Sequence, residues 1–89
     1  MISNYNLKRE AEHTLQGKVH KYVDEHFLSI HNKEEGAGVL ALEQAVAWTE
    51  DAMLIEGCSK EVIKEQAEEL AMSMLQFELF NKFLGRYNE

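Results

Sequence analysis

Four histidines and one cysteine are the residues of this chain best suited to chemistry, and all four histidines fall on the first predicted helix. At helical spacing His13, His20 and His31 share one stripe with Asp24. His20 and Asp24 are separated by four residues, which lets two side chains grip one metal ion or form a charge-assisted pair. Glu10 and His13 match the Glu-x-x-His step of di-iron helical bundles. Such a centre needs a second copy of that step and further glutamates from facing helices, and the chain holds no second Glu-x-x-His. The stripe therefore reads as a solvated polar face with a pH-sensitive charge, and no metal or cofactor is assigned. His26 falls on the apolar side and is expected in the core or at an interface.

Cys58 sits at the predicted start of a helix, where the dipole favours thiolate. Position alone does not make a nucleophile, and a single cysteine can form neither an internal disulfide nor, by itself, a thiolate zinc site. Glu50 and Asp51 are adjacent and point in different directions from a helix, so they do not act as an acid pair. There is no glycine-rich phosphate loop and no nucleophile elbow. The chain reads as a non-enzyme.

Three helices must carry these groups, giving an all-α three-helix bundle in one domain, 1–89. The first is predicted over about 4–31, capped at Ser3, Asn4 or Asn6, with Leu7, Ala11, Leu15, Val19, Tyr22, Val23, Phe27 and Ile30 on one face. Gly17 is the expected place for a break, because an unbroken helix of this length would span roughly 40 Å. The second, about 39–56, places Val39, Leu42, Ala45, Val46, Thr49, Ala52 and Met53 on one broad face, which Ala41, Trp48 and Ile55 extend. The third, about 60–84, carries Ile63, Ala67, Leu70, Met74, Phe77 and Leu84 as its predicted core face. Two connections separate them. Asn32 to Gly38 is glycine-rich, and in Gly57-Cys58-Ser59 the glycine suits a positive φ after one helix while the serine suits the N-cap of the next. Asn81 is expected near a wet helix end.

Charge and hydrophobicity are unevenly spread. The net charge of −7 is the sum of +1 over residues 1–33, −9 over 34–78 and +1 over 79–89. Glu43, Glu50 and Asp51 on the second helix and Glu61, Glu65, Glu68 and Glu69 on the third form a predicted acidic docking face, which repels phosphate backbones and suits a basic partner. Beyond Leu70 the third helix turns apolar off its core side, and Met72, Phe77, Leu79, Phe80, Phe83, Leu84 and Tyr87 form a predicted seam for a homodimer or another protein. No stretch approaches a membrane span, and Met1 to Glu10 lacks the apolar segment of a signal peptide, so the expectation is a cytoplasmic chain in a reducing compartment.

The stretch Gly57-Cys58-Ser59-Lys60-Glu61-Val62 resembles the turn and early recognition helix of a helix-turn-helix unit, over about a dozen residues. Where that motif has a small residue four before the glycine, this chain has Met53. The face that would read DNA presents Glu61, Glu65 and Glu68 beside only Lys60 and Lys64, against the positive charge that phosphate contacts need. The leading expectation is a non-catalytic adaptor or inhibitor that presents an acidic helical face to a basic partner, in the manner of proteins that mimic nucleic acid. A transcriptional regulator built on that hairpin is the alternative, and a metal-binding bundle the third.

Overall fold

The computed structural model describes residues 14–85, which form three helices and no strand among the described residues. Helix α1 spans Leu15–His31, α2 Ala37–Ile55 and α3 Lys60–Phe83. The all-α, three-helix reading is borne out. Helix α1 starts at Leu15, later than the predicted residue 4. Thr14 takes extended backbone (φ −82°, ψ 161°) and accepts a hydrogen bond from the Gly17 N–H at its hydroxyl, which is an N-cap. Gly17, expected to break the helix, is instead buried inside its first turn. The caps proposed at Ser3, Asn4 and Asn6, and the apolar Leu7 and Ala11, lie outside the described residues.

The helix ends follow from local chemistry. After α2, Gly57 takes φ +87°, the Gly57 N–H bonds to Leu54 O and the Cys58 N–H to Met53 O, the paired closure of a Schellman turn. Ser59 then caps α3 by accepting from the Val62 N–H at 3.3 Å. The same closure ends α1, where Lys33 rather than a glycine takes the left-handed position at φ 56°. The first connection is shorter than expected, because α2 starts at Ala37 and Gly38 is already helical.

The core is small and made largely of small residues. Val19 and Val23 of α1 meet Ala41 and Ala45 of α2 and Ala71 and Leu75 of α3, with Leu15, Tyr22, Phe27, Ile30, Leu42, Val46, Trp48 and Leu79 packed around them. A second cluster joins Met53, Ile63 and Ala67 near the Gly57 turn. Alanines at the contacts let α2 and α3 approach closely, while the molecule stays thin, 41 × 40 × 15 Å.

Helix α3 departs from the predicted register. Ile63 and Ala67 are buried as expected, but the row continues through Ala71, Leu75, Glu78 and Asn81. Leu70, Phe77 and Leu84 are exposed and Met74 is half-buried. On α2, Val39 is likewise exposed, while Ala41, Ala45, Thr49 and Met53 are buried. Size misled the reading of α3: the close contact selects Ala71, where a search for large apolar groups settles on Leu70.

Candidate functional site

Two polar pairs fasten α1 to α3. The His20 ring donates from Nδ1 to Glu78 Oε2 at 3.0 Å, with the Glu78 side chain 3% exposed and that of His20 34%. One turn further along each helix, Lys82 Nζ donates to Asp24 Oδ1. A carboxylate as buried as Glu78 demands a donor, and His20 supplies it. The i, i+4 pair of the first helix is thereby divided between two partners on α3 instead of converging on one point. Among the described residues no group of three or more His, Cys, Asp or Glu side chains gathers as a metal site would require. Glu10 and His13 lie outside the described residues. His31 is exposed at the end of α1, its ring stacked 5.3 Å from Phe27 and tilted 5.6 Å from Phe83. His26 is exposed with its ring against Tyr22, which corrects the expectation of a core position.

Asn81 is also buried, contrary to the wet-end expectation, and its Nδ2 donates to the Phe77 carbonyl at 2.8 Å. Thr49 is buried in the same manner, its hydroxyl bonded to Ala45 O at 2.7 Å. Both polar groups are satisfied within their own helix, so neither is held in reserve for a ligand.

All seven residues of the acidic face are exposed. Glu50 and Asp51 of α2 and Glu68 of α3 line an open groove of about 520 Å³, walled by Val46, Leu54, Ile63 and Ala67 and also by Lys60 and Lys64. Three acids against two lysines leave that groove nearly balanced. Glu43, Glu61, Glu65 and Glu69 stand outside it, so most of the acidity lies on the outer surface of α2 and α3. Both ion pairs among the described residues join α1 to α3, and none of the seven carboxylates takes part in either.

In the predicted seam, Met72, Phe77, Phe80, Phe83 and Leu84 are exposed, whereas Leu79 is half-buried against the core. Tyr87 lies outside the described residues. The Gly57 to Val62 hairpin has the capped geometry that the resemblance implied, with Glu61, Glu65 and Glu68 exposed along the helix that follows. Cys58 is half-buried beside Met53 and Ile63, as a small packing group.

Sequence reasoning missed the anchoring role of Glu78. Its one signal was being the only acidic residue between Leu70 and Gly85. Lys60 and Lys64, placed in the sequence beside Glu61, Glu65 and Glu68, also wall the groove with Glu50 and Asp51 of α2. No helix among the described residues is long and apolar enough to cross a membrane. Compared with known family models, curated proteins and solved structures, the chain matches none.

Proposed function

We propose that the protein acts without catalysis, as an adaptor or inhibitor whose acidic surface docks on a basic partner protein, including one whose basic surface otherwise holds nucleic acid. The observation that carries this reading is the set of seven exposed carboxylates, Glu43, Glu50, Asp51, Glu61, Glu65, Glu68 and Glu69, none of them in an ion pair with another described residue. Their mutual repulsion opposes folding and is relieved when a cationic surface arrives. Glu61, Glu65 and Glu68 are spaced along one side of a helix, a row of negative charge that a lysine- or arginine-lined groove can track. The same row argues against the regulator alternative, since it would face the phosphates.

The test pairs capture with charge reversal. Tagged protein retrieves a basic, nucleic-acid-binding protein, duplex DNA competes for that protein, and the triple variant Glu61→Lys, Glu65→Lys, Glu68→Lys loses it. Binding weakens by at least about tenfold as salt rises from about 50 to about 200 mM. Retention of the same partner by the triple variant at unchanged affinity would refute the proposal.

A further inference from the structure

Helix α3 carries an exposed stripe that its own core does not use. Leu70, Ser73, Phe77, Phe80 and Leu84 follow steps of three, four, three and four, the a and d positions of a heptad. All five are exposed, while the row Ala67, Ala71, Leu75 and Glu78 faces inward. Phe77 and Phe80, flanked by Phe83, are 52, 61 and 65% exposed, and at about 200 Å² per phenylalanine these three leave roughly 350 Å² uncovered. With Leu70 and Leu84 the apolar area reaches on the order of 500 Å², the upper end for the largest patch of a monomer. A standard interface buries about 800 Å² per partner, roughly 65% of it apolar between identical subunits, which also comes to about 500 Å².

We infer that this stripe is the interface with a second copy of the chain, the two α3 helices packing antiparallel about a two-fold axis between Phe77 and Phe80. In that arrangement each Phe77 faces the partner's Phe80, and each Ser73 faces the partner's Leu84, so a small residue meets a large one in the outer layers. A two-fold axis makes the patch its own complement, as a closed dimer requires. Charge selects the antiparallel orientation. Residues 60–71 hold Glu61, Glu65, Glu68 and Glu69 against Lys60 and Lys64, whereas residues 72–85 hold only Glu78, buried on His20, and Lys82. Parallel helices would set the two acidic halves side by side, and antiparallel helices separate them and oppose the helix dipoles. The inference uses residues of α3 other than those of the acidic docking surface, which borders the stripe at Glu69, and stands whether or not that reading holds.

Sedimentation equilibrium from about 1 to about 200 µM tests the association. The wild type sediments at twice 10.3 kDa, and Phe80→Glu weakens association at least about 100-fold while keeping the helical circular dichroism of the wild type. Leu28→Glu, at an exposed leucine of α1, leaves the dimer intact. Orientation is read by disulfide trapping in a Cys58→Ser background: Ser73→Cys with Leu84→Cys cross-links two chains, and either substitution alone does not. A monomeric wild type across the whole range, or a dimer unaffected by Phe80→Glu, overturns the interface. Cross-linking by Ser73→Cys alone overturns the antiparallel arrangement.

Discussion

Truncating Leu75 and Leu70 to alanine separates the observed packing of α3 from the one its large residues suggest. Leu75 is 7% exposed between Val23, Ala41 and Ala45, and Leu70 is 45% exposed. Leu75→Ala removes three carbons, about 2.4 kcal/mol at roughly 0.8 kcal/mol per buried methylene. The space left behind adds to this, and about 3 kcal/mol results, near the lower end of leucine truncations because the thin fold can partly collapse. Leu70→Ala loses about half the transfer term and opens no cavity, so about 1 kcal/mol is expected. Both are measured by urea titration followed at 222 nm, in the Phe80→Glu background so that association does not contribute. At a slope of about 1.2 kcal/mol/M the midpoint falls by roughly 2.5 M for Leu75→Ala and under about 1 M for Leu70→Ala. A larger loss at Leu70 than at Leu75 would refute the register of α3, and with it the exposed stripe.

Two further outcomes follow from the turn and the polar pairs. Gly57→Ala forces a Cβ into φ +87° and lowers stability by about 1 kcal/mol in a thermal melt, although nothing lies within 4 Å to obstruct it; an unchanged melting temperature contradicts the turn. His20→Leu strands the buried Glu78 carboxylate and destabilises more than the double variant His20→Leu, Glu78→Leu, which removes both polar groups; equal or additive losses in urea titrations show that the two side chains are not coupled.

Local signals were legible in the sequence and long-range ones were not. The Gly57 closure and the Ser59 cap could be placed because they depend on adjacent residues alone. The number of helices followed from apolar periodicity broken at two glycine-bearing links. Register within α3 was misread, since Ala71 is the wholly enclosed residue of its row and an alanine carries little weight in any tally of large side chains. His20 and Glu78 lie 58 residues apart, and no spacing rule connects them. The exposed carboxylates were readable individually, but their arrangement was not: only three of the seven come together, with two lysines between the same walls.

The four-residue connection between α2 and α3, residues 56–59, bears on how the chain reaches its structure. Contacts such as Met53 with Ile63 are close in sequence and need only a short loop to close, which favours rapid formation of the α2–α3 hairpin. Helix α1 follows α2 across residues 32–36 and reaches α3 only across a much longer separation, through the two polar pairs. The hairpin is thus the natural nucleus, and α1 is the segment whose detachment costs least, a partially open form that exposes Val19, Val23 and Glu78 while α2 and α3 stay paired.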